Sequence, residues 1–241
     1  AMAGRKLYHF TVRWGEERDS DDAAGKLVAR SEFRPEPAAL AAVLPRFIGR
    51  VMQRPPAFSA LKLGGARAYD LARAGALPVI EPRPIEIDEL RLIDCPDRDH
   101  AVLSAAVGRG TYIRALARDL GRALGGHAHV AALSRRAVGR FRIEAAISLD
   151  KLAALGHSAA ASEHLLPVET ALDDIPALAL TEAEARALRC GRTVVPLRPL
   201  ERARIDQIGD GATVCAMSEG KLVALAETQA GGLRPVRVLN L

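Results

Sequence analysis

The stretch from Leu7 to Trp14 constrains the fold more than any other part of this sequence. Apolar side chains at every second position alternate there with His9, Thr11 and Arg13, which is the pattern of a β-strand with one buried face. The acidic, glycine-ended stretch over residues 16–25 that follows is typical of a loop. We therefore expect a half-buried strand over residues 7–14.

Strands and helices follow this strand in mixed order. The turn Gly108-Arg109-Gly110 is predicted to lead from a strand into a helix that begins near Thr111 and stops at Gly125-Gly126. A second helix is predicted over residues 129–137. The remaining predicted elements are strands at about residues 85–93 and 101–107, a helix over residues 66–74, and an amphipathic helix over residues 40–48 that Pro45 ends or kinks. This mixture predicts an α+β fold with a mixed, largely antiparallel sheet and helices.

The segment Asp173-Asp174-Ile175-Pro176 predicts a boundary between two domains. Residues 1–173 form the main body, and residues 174–241 form a small β-rich domain near the lower size for independent folding. In the small domain, Thr181 and Glu184 form a capping box for a short helix that ends at Gly191. Short strands are predicted around residues 193–196, 212–217, 221–227 and 234–239.

Composition excludes several classes of protein. Of the 241 residues, 49% are hydrophobic and 26% are charged, which is typical of a globular chain and not of a disordered one. No apolar run approaches the ~20 residues of a membrane-spanning helix, and no signal-peptide core precedes the first strand. The three cysteines lie far apart, which fits neither a disulfide framework nor a zinc site. We expect a cytoplasmic protein.

Positive charge is concentrated in one segment. Residues 1–150 carry a net charge of +6, whereas residues 151–241 carry −1. Between residues 109 and 142, eight arginines stand against the single acid Asp119. Arginines four apart are predicted to form a basic ridge on the helix after the glycine turn, at Arg114, Arg118 and Arg122. The cluster predicts a surface that binds a polyanion, and an arginine-rich genome is the alternative explanation.

Two glycine and histidine motifs have simpler explanations than the sites they suggest. Gly108-x-Gly110 lacks the third glycine of a dinucleotide fingerprint, which favours a tight strand-to-helix turn. His127-x-His129 has no cysteine or carboxylate near it in sequence, which argues against a metal site. The sequence contains neither a nucleophile elbow nor an HExxH motif.

Three features favour a binding or catalytic site. Arg114 follows a glycine turn and Tyr112 at the start of a helix, where its guanidinium could pair with a carboxylate or a phosphate; a surface ion pair is the alternative. Tyr8 lies on the apolar face of its strand, where an ordinary core aromatic is the alternative. Residues 135–142 interleave arginines with Phe141, as a surface that grips an RNA backbone would; a solvated charged face is the alternative.

Four ordered motifs resemble one known family. They are Tyr8 on its strand, residues 55–62 with Gly65 and residues 69–73, residues 110–114 with residues 119–121, and residues 129–133 leading into Arg135 and Arg136. In this order they resemble the bacterial tRNA pseudouridine synthases that modify uridine 55 in the T-loop. The resemblance covers nearly the whole chain. Residues 174–241 are similar to the PUA-like RNA-binding domain that ends these enzymes.

The resemblance implies an isomerase that uses neither a metal nor an organic cofactor, and a monomer that binds the T-stem-loop of tRNA without an obligate protein partner. In this family an aspartate attacks a flipped uridine, the glycosidic bond breaks, and the rotated base rejoins through carbon 5. Tyr8 corresponds to the aromatic that stacks on the flipped base, and Arg114 to the arginine that pairs with the aspartate. The expected substrate-binding residues are Tyr112, Leu133, Lys62, Tyr69, Arg135 and Arg136. The insertion over residues 53–83 corresponds to a mobile loop that closes on the T-stem.

The nucleophilic aspartate of this family belongs to a Gly-x-Leu-Asp-Pro-type motif upstream of Tyr8, and no such motif occurs in the 241 residues. We therefore expect the chain to be a fragment that lacks its nucleophile and is inactive as given. Asp19, Asp21 and Asp22 correspond to an acidic loop and not to the catalytic position. The alternative is a non-catalytic tRNA-binding or chaperone protein on the same scaffold, which would need the arginines but not the aromatic pocket. A pseudouridine synthase of ribosomal RNA is disfavoured by the C-terminal domain and the Pro55-Pro56 insertion.

Overall fold

The computed structural model describes residues 4–75, 80–156 and 159–239. The chain divides into two compact units between Ile147 and Ser148. The domain boundary after Asp173 stays a prediction, and residues 76–79 of the predicted insertion lie outside the described residues.

The first unit contains ten strands and three α-helices within its described residues. In chain order they are β1 Lys6–Trp14, β2 Glu16–Arg18, β3 Leu27–Arg30, α1 Pro37–Val43, β4 Gly49–Gln53, β5 Lys62–Leu63, β6 Ala66–Arg67, α2 Ala68–Arg73, β7 Arg83–Asp97, β8 His100–Val107, α3 Ile113–Ala123, β9 Ala128–Val138 and β10 Phe141–Arg142.

Strand β1 lies inside a six-stranded antiparallel sheet with the order β10-β9-β1-β8-β7-β4. Its predicted alternation is confirmed, since Tyr8, Phe10, Val12 and Trp14 are all buried. Their burial against Leu116 and Leu120 of α3 removes a large apolar area from water and forms the core of this unit. The predicted fold class, with a largely antiparallel sheet and helices, is confirmed.

The helix predicted over residues 129–137 is wrong, because this segment is strand β9. Its alanines and arginines are good helix formers, but β1 carries an unpaired edge that β9 completes along its whole length, from Lys6 to Trp14. Ala128 and Val130 become buried in this arrangement. Tertiary pairing thus overrides local propensity.

Pro45 ends the helix predicted over residues 40–48, as expected. Helix α1 stops at Val43 and continues only as a 3₁₀ turn over Leu44–Phe47. Leu40, Val43 and Leu44 are buried in the core, whereas Ile48 is exposed.

The second unit holds a four-stranded sheet and four α-helices within its described residues. In chain order they are α4 Leu149–Leu155, α5 Ala159–Ser162, β11 Ala177–Ala179, α6 Glu182–Arg189, α7 Pro199–Ile208, β12 Thr213–Ser218, β13 Lys221–Gln229 and β14 Gly232–Val238. The sheet order is β11-β12-β13-β14, and only the β11–β12 pair is parallel.

Two local predictions in this unit have different outcomes. The capping box is confirmed, with reciprocal hydrogen bonds between Thr181 and Glu184 at the start of α6. The strand predicted around residues 193–196 is wrong: only Val194 forms an isolated bridge, to Leu233. Pro199 then starts α7, which buries Ile205. The polar pattern of this segment does not indicate a helix.

Within the part of the chain that the structure describes, no helix combines the length and the apolar character needed to cross a membrane.

Candidate active site

The start of α3 is the best-defined part of the candidate site. Strand β8 ends at Val107, and Gly110 turns the chain with φ +85°, a conformation that favours glycine. The buried side-chain amide of Gln53 then brackets Tyr112: the Tyr112 N–H donates to Gln53 Oε1 (2.9 Å), and Gln53 Nε2 donates to the Tyr112 carbonyl (3.2 Å). These two bonds fix the backbone at the residue before the helix. Nothing in the local sequence around Gln53 indicates this role.

Arg114 projects from the first turn of α3 and is held on three sides. Its Nη1 donates to Asp22 Oδ2 (3.0 Å) and to the Ser20 carbonyl (3.0 Å), and its Nη2 donates to the Phe58 carbonyl (2.8 Å). A quarter of the side chain stays exposed, at 24%. The guanidinium is therefore oriented by the protein and still accessible to a further anionic group.

The acidic loop over residues 19–25 supplies the carboxylate partner of Arg114. Asp22 Oδ1 accepts hydrogen bonds from Ser20 Oγ (2.7 Å) and from the Ala24 N–H (3.0 Å), which leaves Oδ2 directed at Arg114. Gly25 closes the loop so tightly that a Cβ there would lie 2.3 Å from Ser20 Oγ. From its sequence this segment is expected to be a simple loop, because nothing local shows that it meets a helix about 90 residues away.

Arg118 lies one turn further along α3 and is almost fully buried, at 7% exposure. Its Nη1 donates to Asp21 Oδ2 (2.7 Å), its Nε to Asp119 Oδ1 (2.9 Å) and its Nη2 to the Arg54 carbonyl (2.7 Å). Burial raises the pKa of Asp21 to about 6, against the opposing effect of Arg118.

The three arginines of the basic ridge predicted on α3 lie on one side of the helix, but they do not present their charges as an open basic surface. Arg114 and Arg118 bind Asp22 and Asp21, and Arg122 donates to Glu17 Oε1 (2.8 Å). Each of the three positive charges thus has a carboxylate partner within the protein. The four-residue spacing does place them on one side of the helix, but that side faces acidic segments.

Tyr8, Arg135 and Leu133 lie together on one face of the sheet, because the ladder pairs Tyr8 with Arg135 and Phe10 with Leu133. Arg135 Nε donates to the Tyr8 hydroxyl (3.1 Å), and its guanidinium lies 5.4 Å from the centre of the Tyr8 ring. Tyr8 is 8% exposed, whereas Leu133 is 49% exposed. The face therefore presents an apolar side chain beside an aromatic ring covered by a cation.

Tyr69, Tyr112 and Arg114 contribute to a single cavity of about 500 Å³, which Phe58, Ser59, Ala60 and Arg73 complete. Two arginine guanidinium groups lie close to the Tyr69 ring, Arg73 at 5.4 Å and Arg67 at 5.9 Å from its centre. The cavity thus combines aromatic walls with guanidinium groups, which suits a planar base attached to a phosphate.

Four of the six predicted substrate-binding residues do not line this cavity. Leu133 and Arg135 lie with Tyr8 on the sheet face described above, and Tyr8 does not line the cavity either. Lys62 and Arg136 are the other two. Lys62 is exposed on the short strand β5. Arg136 donates to Glu144 Oε1 (2.6 Å) on the surface.

Among residues 4–75, 80–156 and 159–239, no group of three or more His, Cys, Asp or Glu side chains is arranged to hold a metal ion. His129 is buried and its Nδ1 lies 3.1 Å from the Glu16 carbonyl, which gives it a structural partner.

Two family models match the chain in succession. The first, described as "TruB family pseudouridylate synthase (N terminal domain)", matches residues 1–113, and the second, described as "tRNA pseudouridylate synthase B C-terminal domain", matches residues 114–173. Both lie within the region that carries the motifs described above.

Curated relatives match the whole chain. The chain is 52% identical to a tRNA pseudouridine synthase B of Bradyrhizobium diazoefficiens over 245 residues, which is 100% of this chain and 69% of that protein. It is 49% identical to a protein of the same name from Rhodospirillum rubrum, of which it covers 78%. The chain thus spans between two thirds and four fifths of the length of these relatives.

Solved structures share the fold at low sequence identity. One is a Cbf5-Nop10-Gar1 complex, with a TM-score of 0.71 and 21% identity over 99% of this chain and 67% of that one. Another is an H/ACA RNP bound to a substrate RNA containing 2'-deoxyuridine, with a TM-score of 0.68 and 17% identity over 98% of this chain and 66% of that one. These structures support the fold alone. On the family models and the high identity of its relatives, this chain belongs to the TruB family of tRNA pseudouridylate synthases.

Proposed function

We propose that this protein isomerises uridine 55 to pseudouridine in the T-loop of tRNA. Membership of the family makes it a tRNA pseudouridine synthase, and the target position is the proposal. One observation supports it most: Arg114 is oriented at the wall of a cavity that Tyr69 and Tyr112 also line. A base flipped out of a loop needs such a pocket, because aromatic side chains replace the stacking that the base loses.

The proposed reaction has no net oxidation or reduction, so it calls for no redox cofactor. The bond between C1′ of the ribose and N1 of the uracil breaks, and a bond between C1′ and C5 forms. C5 loses its proton, and N1 gains one. The protein has to hold the detached ring during its rotation, and in this proposal Tyr8, Leu133, Tyr112 and Arg114 do so.

We further propose that the nucleophile is an aspartate of a Gly-x-Leu-Asp-Pro-type motif, which the 241 residues do not contain. The two carboxylates beside the site, Asp21 and Asp22, already bind Arg118 and Arg114. Arg114 keeps an exposed portion with which it could orient a third carboxylate. The 241 residues alone should therefore bind tRNA without turning it over.

The test is tritium release from tRNA transcripts labelled at carbon 5 of uridine, with the 241-residue chain beside a version extended upstream by the aspartate motif. A transcript with cytidine at position 55 is the matched control. Release by the extended protein alone, and only from the transcript with uridine 55, is the expected result. Release by the 241 residues would mean that Asp22 or another internal carboxylate attacks the base. Binding without release by either protein would favour a non-catalytic tRNA-binding protein.

A further inference from the structure

Arg114 and Arg118 make matching contacts from neighbouring turns of α3. Each guanidinium donates one Nη to an aspartate of the acidic loop, Asp22 or Asp21 respectively. Each donates its other Nη to a carbonyl in residues 54–58, at the beginning of the predicted insertion. The two side chains thus form two parallel links between the acidic loop and the insertion.

The two arginines differ in their access to solvent. The side chain of Arg114 is 24% exposed, and that of Arg118 is 8% exposed. A substrate can therefore reach Arg114 but not Arg118. Any effect of Arg118 on the reaction has to pass through the residues that it holds.

Hydrogen bonds hold the carboxylate, the N–H and the carbonyl of Asp21. Its carboxylate binds Arg118, its N–H donates to the Arg18 carbonyl (3.0 Å), and its own carbonyl accepts from the Val130 N–H of β9 (3.1 Å). Its φ of +60° lies in the left-handed region, which is unusual for a residue other than glycine. Asp22 comes directly after it, so the backbone of Asp21 sets where the Asp22 carboxylate points.

We propose that Arg118 and Asp21 are positioning residues for Arg114: their buried ion pair holds the acidic loop and the start of the insertion, so that Asp22 and the Phe58 carbonyl keep the Arg114 guanidinium in its working orientation. The proposal rests on the proposed function, because that function makes Arg114 a member of the site.

The energetic cost of Asp21 supports this assignment. A buried carboxylate in a left-handed conformation is unfavourable by itself, and such features persist where neighbouring structure over-determines them, often beside functional sites. The charged groups that act on Asp21 are Arg118 and Arg122, which favour its ionised form, and Asp119, which opposes it. Burial outweighs these groups and raises the pKa of Asp21 to about 6.

The first test measures Arg114 in the free protein, without RNA. Rotation of the Arg114 guanidinium is followed by nitrogen-15 NMR, and its signals are assigned with Arg114→Lys. Arg118→Lys keeps a positive charge beside Asp21 but loses the planar fork that reaches Arg54 and Asp119. Rotation of Arg114 should become about tenfold faster, the change expected from the loss of one hydrogen bond. Unchanged rotation would overturn the proposal.

Arg34 provides a matched control. Its side chain is half-buried, at 22% exposure, and it binds the Asp99 carboxylate and the carbonyls of Ser31 and Phe33. Arg34→Lys therefore removes a comparable set of contacts away from α3. Rotation of Arg114 should stay as in the wild type in this variant. An equal acceleration in Arg34→Lys would show that any partly buried arginine has the same effect, and would overturn the proposal.

The second test measures base flipping in an RNA substrate. A T-stem-loop carrying 2-aminopurine next to the target uridine becomes more fluorescent when the uridine is flipped out. With the wild type, the signal should fall between pH 7.5 and pH 5 with a midpoint near 6, as Asp21 becomes protonated. Asp21→Asn keeps the side-chain shape and tolerates a positive φ, so it isolates the charge. It should flip the base about tenfold more slowly and without this pH dependence.

The outcomes separate the two proposals. Wild-type rate and wild-type pH dependence in Asp21→Asn would overturn the positioning role, and so would a midpoint near 6 that persists in this variant. Absence of any fluorescence change with the wild-type protein would instead count against the proposed function, and the NMR measurement would still decide whether Arg118 positions Arg114. Thermal unfolding of each variant confirms that it is folded.

Discussion

Arg114 is the residue at which the family resemblance and the geometry can be compared most directly. The alternative considered from sequence was a surface ion pair, and the structure does contain an ion pair, with Asp22. Two carbonyl contacts and a position on the cavity wall distinguish it from an ordinary surface pair, because exposed pairs seldom fix a guanidinium at three points. Its role in the reaction stays a prediction.

Replacement of Arg114 by alanine should abolish activity in the version that carries the upstream aspartate motif. Loss of an oriented cation beside the reacting groups should lower kcat by at least about a hundredfold. The affinity for the T-stem-loop should be largely intact, because most of the binding comes from other contacts. Tritium release and filter binding measure the two quantities. Arg91→Ala, which removes an exposed arginine paired with Glu89, is the control, and unchanged turnover in Arg114→Ala would refute the assigned role.

Asp21 should make folding stability depend on pH. Its folded pKa of about 6 lies above its ordinary value of 3.8, so folding favours the protonated carboxyl. The stabilisation that the protonated Asp21 carboxyl gives to the folded state is fully present below pH 3.8. It is lost as the pH rises through 6. Relative to Asp21→Asn, the free energy of unfolding of the wild type should therefore fall by up to about 3 kcal/mol between pH 4 and pH 7. Urea unfolding at several pH values measures this difference, and a difference independent of pH would contradict it.

At the scale of elements, features encoded by neighbouring residues were predicted correctly, whereas one strand and one helix whose local pattern is ambiguous were not. The capping box of α6 and the break at Pro45 each involve residues within four positions of one another. Strand β9 was mistaken for a helix because its identity depends on β1, which lies more than 100 residues away in sequence. Helix α7 was missed because its buried face is narrow.

Gln53 should be the main determinant of where α3 begins. Gln53→Ala leaves the Tyr112 N–H without its partner at a half-buried position, whereas the Tyr112 carbonyl still accepts from the Leu116 N–H (3.0 Å). Loss of the two Gln53 bonds should lower the free energy of unfolding by about 2 kcal/mol. The adjacent Met52→Ala is the control, because that side chain is 65% exposed and should change stability by less than about 0.5 kcal/mol. Urea unfolding of both variants measures the two free energies. Equal stabilities would show that the two hydrogen bonds between Gln53 and Tyr112 do not stabilise the start of α3.

At the scale of the whole molecule, the net charge of +5 and its concentration in residues 1–150 favour a polyanionic partner. The structure reduces the charge available for that partner. Of the eight arginines between residues 109 and 142, at least four bind carboxylates within the described part of the chain: Arg114, Arg118, Arg122 and Arg136.

Affinity for a T-stem-loop RNA should therefore fall with salt less steeply than the arginine count suggests. Because at least four arginines of this segment already bind carboxylates of the chain, contacts from this segment should contribute no more than about 3 to 4 to the slope of log Kd against log salt, whereas eight contacts would give about 7. Titrations between 50 and 300 mM salt measure the slope. A value near 7 would show that further basic groups contact phosphates, either outside this segment or through internal ion pairs that open when RNA binds.

The sequence by itself determined the half-buried strand β1, the glycine turn into α3, the α+β class and the family. Each of these depends on short-range patterns or on ordered motifs, which are present in the unfolded chain. Only the tertiary structure decided which residues meet at the site. Asp21, Asp22, Gln53 and Arg118 gain their roles from contacts across 59 to 97 positions, as with Arg118 and Asp21. No local pattern encodes such contacts, because they form only when the acidic loop, β4 and α3 pack around a common core.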